Sequence, residues 1–416
     1  MRTFRTFLVH AKSNQLDDDQ LRRRLNAQPG TKFRFRHGMF LSLFAVIRKK
    51  WDEKLAAENF IDFEDMLNIA ADHLESGRWD SGYELVMVDE MQDASHARAR
   101  LARALVNRPG RRLFAVGDDW QSINRFAGAD LSVMTDFDRW FGDGEILRLE
   151  RTFRSPQSIC DISSAFIQKN PAQLAKQVIS STPEFTPTMK AISVGHAVQF
   201  ASVLQDHLDE LNRGVQSGAI PAGAGGQVQV RILGRYRNLL NRVSDGLRQA
   251  RGNRNNWERL NVGFQTIHGS KGLEADFIVI LGMNTGAYGF PSTINDDPVL
   301  RLAMPEGDAF PLAEERRLFY VAMTRAKRSV LLLTIRNKES PFLMELVKDH
   351  NLTVHGAEGK ALRTTICPEC NEGCMVQRTS RYGYFFGCSR FPKCRHTMKL
   401  SRVENSPDGD NDLPGR

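Results

Sequence analysis

Short apolar runs alternate with helical stretches over most of this chain, and that alternation constrains the fold more than any other feature. Residues 84–88, 112–116, 144–149, 227–233, 277–281 and 330–334 are short and dominated by apolar side chains. Runs of this kind, separated by helices, predict a mostly parallel α/β sheet. Residues 1–80 read instead as helices, because Leu41, Leu43, Phe44 and Ile47, then Phe63, Met66, Leu67 and Ala70, recur at helical spacing. The apolar stretch 39–47 includes a serine and falls far short of the roughly 20 residues of a membrane span, so it reads as a core helix. Residues 181–188 and 212–226 read as linkers. No repeat recurs at a fixed period of 20–50 residues.

A length of 416 residues allows two or three domains. Apolar residues make up 41% and charged residues 25%, which excludes collagenous, wholly disordered and small disulfide-rich classes. Lys and Arg exceed Asp and Glu by 57 to 49, a formal charge of +8 that suits a polyanionic partner. The opening M-R-T-F-R-T-F-L-V-H lacks the long apolar stretch and small-residue cleavage site of a signal peptide. The expected location is cytoplasmic, with no membrane partner.

Five of the six cysteines fall between Cys367 and Cys394. C-P-E-C is followed by 17 residues and then by C-S-R-F-P-K-C. Cys367, Cys370, Cys388 and Cys394 thus form two pairs on knuckle-like turns, the pattern of tetrahedral Zn²⁺. Cys374 either competes for the metal or stays a free thiol, and the free thiol is the favoured reading. Residues 360–402 hold nine Lys or Arg and two Glu. Tyr382, Tyr384, Phe385, Phe386 and Phe391 interleave there with Arg378, Arg381, Arg390 and Lys393. Basic residues among aromatics suit single-stranded nucleic acid, although some of these rings must form the module's own core. From this pattern Arg378, Arg381, Tyr384 and Phe386 are the candidate DNA contacts.

Residues 84–93 read E-L-V-M-V-D-E-M-Q-D. An apolar strand ends there in two adjacent acids, at the carboxyl edge where open α/β sheets bind ligands. Asp89 can hold Mg²⁺ through water, and Glu90 can orient and deprotonate an attacking water. A lone acidic pair of this kind is more often a solvated turn. Four further strings change that balance. Residues 117–123 are G-D-D-W-Q-S-I, 149–156 are L-E-R-T-F-R-S-P, and 265–280 are Q-T-I-H-G-S-K-G-L-E-A-D-F-I-V-I. Residues 314–327 follow as E-E-R-R-L-F-Y-V-A-M-T-R-A-K.

In this order the strings resemble motifs II to VI of superfamily 1 helicases of the UvrD/Rep type, and the surrounding text resembles the helicase IV branch. The resemblance spans about residues 1–345. The G-Y-F-F-G-C-S-R-F-P-K-C text resembles the zinc ribbon of bacterial type IA topoisomerases. On its own the ribbon suggests a topoisomerase accessory chain, a reading that motifs II to VI oppose.

The resemblance implies an α/β fold of two RecA-like P-loop NTPase-type domains, the first incomplete, plus a small zinc ribbon. The expected divisions are 1–80 for a helical remnant, 81–160 for the first RecA-like domain, 161–345 for the second, 362–400 for the ribbon and 401–416 for a disordered tail. It implies an ATP-dependent 3′→5′ DNA helicase, nucleoid-associated when on DNA and concerned with DNA repair, with ATP, Mg²⁺ and Zn²⁺ as cofactors. Asp89 would bind Mg²⁺, Glu90 would be the catalytic carboxylate, and Gln121 would sense the γ-phosphate or the hydrolytic water. Phe153 would stack on adenine, Arg154 would contact the γ-phosphate, Glu274 would reach the ribose, and Arg325 would be the arginine finger. Thr266 and His268 belong to the segment that contacts the DNA backbone. Many relatives place a tyrosine and a tryptophan after the third motif to stack on bases. Here Asn124 and Phe126 stand there, and only Phe126 keeps a ring. Only 26 residues separate R-I-L-G-R-Y-R-N (231–238) from Gln265, so the large insertion of many relatives is expected to be absent.

The family's first motif, G-x-x-x-x-G-K-[ST], does not occur in these 416 residues. That loop holds phosphates through backbone N–H groups and a lysine. The expectation is a C-terminal helicase portion: either another polypeptide supplies the missing loop, or the chain is a truncated product with impaired folding. The alternative is a catalytically inactive DNA-binding remnant or accessory module.

Overall fold

The computed structural model describes residues 2–399 apart from 29, 31, 252–256, 295, 363–364 and 381–382. Arg381, Tyr382 and the expected tail at 401–416 lie outside the described residues. The chain forms two compact units, each assembled from separated segments. The first comprises Met1–Leu149, Ile167–Lys176 and Ile294–Arg317; the second comprises Glu150–Phe166, Gln177–Thr293 and Leu318–Arg416.

The first unit opens with helices Arg2–Ser13, Asp18–Ala27 and Arg34–Ala57. Asp17 and Gln20 cap the second reciprocally, which satisfies two backbone N–H groups that the helix leaves free. Phe7, Leu21, Leu41 and Phe44 pack with Val299, Leu302 and Met304, so the late segment 294–317 returns to close this core. The helical spacing at 39–47 holds, and the expected core helix enters the core by one face only. Leu41 and Phe44 are buried, whereas Met39, Leu43, Val46 and Ile47 are exposed, because only one face meets a neighbour. Helix Phe63–Glu75 starts at Asp62, whose side chain accepts from the Asp65 N–H at 2.8 Å.

Strands β1 (Leu85–Val88) and β2 (Arg112–Ala115) pair in parallel, with Leu85 opposite Arg112 and Val88 opposite Ala115. Residues 144–149, expected as a strand, are irregular, and Ile146, Leu147 and Leu149 are exposed. A run of β-formers becomes a strand only where a neighbour takes up its backbone groups, and no described strand pairs with this one.

In the second unit β3 (Arg151–Thr152) pairs in parallel with β4 (Ile179–Ser180). A six-stranded sheet follows, built from β5 (Met189–Val194), β6 (Val228–Gly234), β7 (Leu260–Thr266), β8 (Ala275–Leu281), β9 (Ala326–Ile335) and β10 (Val354–Gly356). Its order is β10-β5-β9-β8-β6-β7 and every pairing is parallel. All seven residues of β8 are buried, as expected for an inner strand of a parallel sheet covered on both faces.

Both expected linkers are largely exposed but are anchored by single apolar side chains. Helix Phe200–Gln216 runs into the second of them, and Ile220 sits so close to Gly214 that a Cβ there would lie 2.7 Å from Ile220 Cδ1. In the first, the Phe185 ring stands edge-on to Phe277 at 5.2 Å. Finally β11 (Met375–Ser380), β12 (Gly383–Cys388) and β13 (Thr397–Lys399) form an antiparallel three-stranded ribbon. Among the described residues no helix is long and apolar enough to cross a membrane.

Candidate functional site

Both strands of the first unit end in polar turns that touch each other. Asp89 and Glu90 follow β1 directly and are exposed. Asp89 Oδ1 accepts from the Glu90 N–H at 2.8 Å. Glu90 has φ 52°, a left-handed conformation that a residue with a Cβ adopts at a cost. Its carboxylate accepts a short hydrogen bond from Gln92 Nε2. The turn after β2 carries Asp118, Asp119 and Gln121. Asp118 caps the turn by accepting from the Trp120 N–H at 3.0 Å, and its Oδ2 accepts from Gln121 Nε2 at 2.6 Å. Asp119 is fully buried and accepts from Gln173 Nε2 and the Leu174 N–H, both at 2.8 Å. Lys176 bridges Asp118 and Asp119 and lies 4.3 Å from the Trp120 ring centroid. The three residues named for this half of the chemistry, Asp89, Glu90 and Gln121, thus stand on two adjacent turns linked through Gln92 and Asp118. Sequence reasoning did not single out Gln92 or Asp118, although both lie inside quoted motifs. Lys176 carried no local signal.

In the second unit a cavity of about 800 Å³ is lined by Phe153, Arg154, Glu274, Asp276, Lys327 and Arg328, among others. Phe153 and Arg154 come from one motif and Glu274 from another, and the three meet here. Phe153 is 77% exposed, which leaves its ring face open to a ligand. Arg154 Nε donates to Glu274 Oε2 at 2.8 Å, and Lys327 Nζ lies 2.5 Å from Glu274 Oε1. Lys327 first, then Arg154, hold the Glu274 carboxyl below the usual range. Arg328 pairs with Asp276 at 2.9 Å. Lys327 and Arg328 were not singled out from sequence. Arg325 is buried, and its guanidinium donates to the Val321 and Leu273 carbonyls at 3.1 and 3.4 Å.

The candidate DNA residues are dispersed. Phe126 is half exposed on a 3₁₀ turn of the first unit. Asn124, where relatives stack a ring, instead donates to Asp93 at 2.7 Å. In the second unit Thr266 ends β7, and its hydroxyl accepts from the Gly269 N–H at 3.2 Å. Burial, and then the charge of Arg235, pull the His268 pKa down to about 4, so this imidazole is neutral at pH 7. On the ribbon, Tyr384 is exposed, whereas Phe386 packs in the small core with Met375 and Met398. Arg378 donates to the Cys388 carbonyl at 3.1 Å and lies 5.7 Å from the Phe391 ring centroid.

The sulfurs of Cys367, Cys370, Cys388 and Cys394 all lie within 4.8 Å of one another. Cys367–Cys394 and Cys370–Cys388 are 3.8 and 3.6 Å apart. Zn–S bonds of about 2.3 Å in a tetrahedron put sulfurs about 3.8 Å apart, so the four thiols fit that ion. The Arg390 N–H also points at Cys388 Sγ at 3.4 Å, a contact that favours a thiolate. Cys374 stands outside the tetrad. It packs with Met344 and Val376 and donates to Glu339 Oε2 at 3.3 Å. Burial, and then Glu339, push its thiol up to about 12, so it is an inert thiol.

Sequence profiles of three known families match this chain. The UvrD/REP helicase N-terminal domain matches residues 2–142 and the UvrD-like helicase C-terminal domain residues 234–337. The topoisomerase DNA binding C4 zinc finger matches residues 364–403. DNA helicase IV of Escherichia coli strain K12 is 36% identical over 315 residues, 76% of this chain and 43% of that protein. A probable DNA helicase of Mycoplasma pneumoniae is 26% identical over 339 residues, 77% of this chain and 59% of that protein. The ATP-dependent DNA helicase UvrD1 of Mycobacterium tuberculosis H37Rv is 32% identical over 145 residues, 32% of this chain and 19% of that protein. The chain therefore spans less than two thirds of the length of each of these relatives.

Proposed function

Since the chain belongs to the UvrD-like superfamily 1 DNA helicases and carries a topoisomerase-type C4 ribbon, we propose that it is the motor portion of an ATP-dependent 3′→5′ helicase. Its substrate is single-stranded or partly duplex DNA. Asp89 holds Mg²⁺, Glu90 takes the proton of the attacking water, and Gln121 positions that water. Phe153 and Glu274 bind base and ribose, while Arg154 and Arg325 neutralise phosphate charge, a task suited to a side chain that stays protonated. Cys367, Cys370, Cys388 and Cys394 hold one Zn²⁺, which supplies the ribbon's structural cross-link. Tyr384, Arg378 and Arg381 of the ribbon, with Phe126, Thr266 and His268, contact DNA.

The observation that carries the nucleotide reading is the shared cavity of Phe153, Arg154 and Glu274. Arg154 and Glu274 are 120 positions apart, and their meeting beside an exposed ring supports binding of a base, a ribose and a phosphate chain. One observation favours the second reading, a DNA-binding or accessory chain without ATPase activity: no G-x-x-x-x-G-K-[ST] string occurs in the 416 residues. Removing a single well-placed oxyanion donor costs about 10²–10³ in rate, and this loop supplies several.

Hydrolysis of ATP with Mg²⁺ and single-stranded DNA distinguishes the readings. The 416-residue chain by itself should turn over negligibly. Adding a segment that bears the phosphate loop, in cis or as a second polypeptide, should start turnover, and Glu90→Gln should abolish it. No turnover with the segment present would favour the DNA-binding reading. Robust turnover by the 416-residue chain, lost in Glu90→Gln, would point to a different phosphate site.

A further inference from the structure

Gln92 has a place in the first unit that its neighbours' motif roles do not explain. It is 1% exposed, two residues after a carboxylate that faces solvent. Its amide is used at both ends. Nε2 donates to Glu90 Oε2, at the end of β1, while Oε1 accepts from the Asp118 N–H at 2.9 Å, at the end of β2. Its backbone carbonyl accepts from Ser122 Oγ at 3.2 Å. Asp118 in turn holds Gln121. One buried side chain therefore spans the two turns that carry the carboxylate and the water-positioning amide.

Two further observations bear on the same side chain. Gly117 leaves the space that Gln92 occupies: a Cβ there would sit 2.8 Å from Gln92 Oε1 and 3.2 Å from Gln92 N. Glu90 meanwhile holds a left-handed backbone conformation, so its position is fixed against its own local preference. A long, exposed glutamate left to itself spreads over many rotamers, and fixing it costs side-chain entropy. A donor locked in the core supplies that fixation before substrate arrives.

We propose that Gln92 is a positioning residue for ATP hydrolysis, aiming the Glu90 carboxylate and keying it to the turn of Gln121. The proposal rests on the ATPase reading above. A merely structural Gln92 would affect stability alone, whereas a positioning Gln92 sets turnover with little change in ATP binding.

Gln92→Glu is the sharpest probe because it conserves shape. The new carboxylate still accepts from the Asp118 N–H but faces Glu90 with an acceptor in place of a donor. Charged groups near it include Asp89, Glu90 and Asp93 on its own turn, Asp118 and Asp119 on the turn after β2, Lys176 bound to both of the latter, and Arg317, whose Nε donates to the Ser122 carbonyl at 2.7 Å and which pairs with Asp308. Lys176 is already shared by two carboxylates, so the added charge falls on the Glu90 side.

The assay is DNA-stimulated ATP hydrolysis at pH 8 by the full chain with the phosphate-loop segment supplied. Relative to wild type, Gln92→Glu should lower kcat about 10–100-fold with KM for ATP within about 2-fold. Gln92→Met, which also cannot donate to Glu90, should lower kcat in the same way. A wild-type kcat in Gln92→Glu overturns the proposal and leaves the ATPase reading intact. Absence of wild-type hydrolysis overturns both. A second measurement needs no turnover: the Gln92 side-chain amide NMR signal of the full chain, identified by its loss in Gln92→Glu, should shift in Glu90→Ala. A signal that stays in place overturns the proposal.

Discussion

Gly117→Ala adds one methyl group at the centre of the first unit's site. The new Cβ would lie 2.8 Å from Gln92 Oε1, 2.9 Å from Met134 Sδ and 3.2 Å from Gln92 N, where apolar contacts ordinarily sit near 3.5–4.0 Å. Two of the three atoms are ends of flexible side chains, so Gln92 and Met134 move first. Moving the Gln92 amide breaks its 2.9 Å bond from the Asp118 N–H, and a buried amide left unpaired costs about 1–3 kcal/mol. Residual crowding against the Gln92 backbone adds about 1 kcal/mol. The expected loss is therefore about 2–4 kcal/mol. It opposes the general tendency of Gly→Ala to stabilise by about 0.4–1 kcal/mol through the unfolded chain. Urea unfolding followed by tryptophan fluorescence measures it. Gln92→Ala removes the obstacle, so Gly117→Ala should cost less than about 1 kcal/mol in that background, a coupling of about 1–3 kcal/mol. Additive effects, or a Gly117→Ala chain as stable as wild type, would refute the steric argument.

Acid should weaken the second unit through His207, which burial pulls from 6.5 down to about 4. Both folded and unfolded forms are neutral above about 6.5; between 6.5 and 4 only the unfolded form binds the proton, so stability falls as pH falls. The window is worth about 3 kcal/mol at about 1.4 kcal/mol per unit, and urea titrations of His207→Gln should show a shallower acid slope than wild type. Elemental analysis should find one Zn²⁺ per chain; Cys388→Ala should lose it and Cys374→Ser should keep it, and metal retained without Cys388 would reject the ligand set. Tyr384→Ala should weaken single-stranded DNA binding about 5–100-fold by removing a stacking face, read by fluorescence anisotropy. Binding of the wild-type chain should also fall steeply with added salt, and a flat salt response would count against phosphate contacts.

Whatever is encoded in adjacent residues was legible before any coordinates. Five of the six apolar runs are strands, four of them within two residues of their expected ends, while the run at 330–334 begins four residues earlier, at Ala326. The cysteine spacing named the four thiols that converge, because each pair sits on its own tight turn. Ordered motifs named Phe153, Arg154 and Glu274, which line one cavity. The run at 144–149 has strand composition but remains irregular, since pairing requires a second backbone that composition cannot supply. Residues 181–188 and 212–226 look like linkers, yet Phe185 and Ile220 are held by Phe277 and Gly214, partners that a local reading does not see. The same limit hid Lys176, which reaches Asp118 across 58 positions, and Lys327, which shares Glu274 with Arg154. Periodicity and motif order are properties of neighbouring residues, and the sequence alone determined them. Which distant side chains share a hydrogen bond is decided by how the elements pack, and only the tertiary structure brought Gln92, Gly117 and Asp118 to one point.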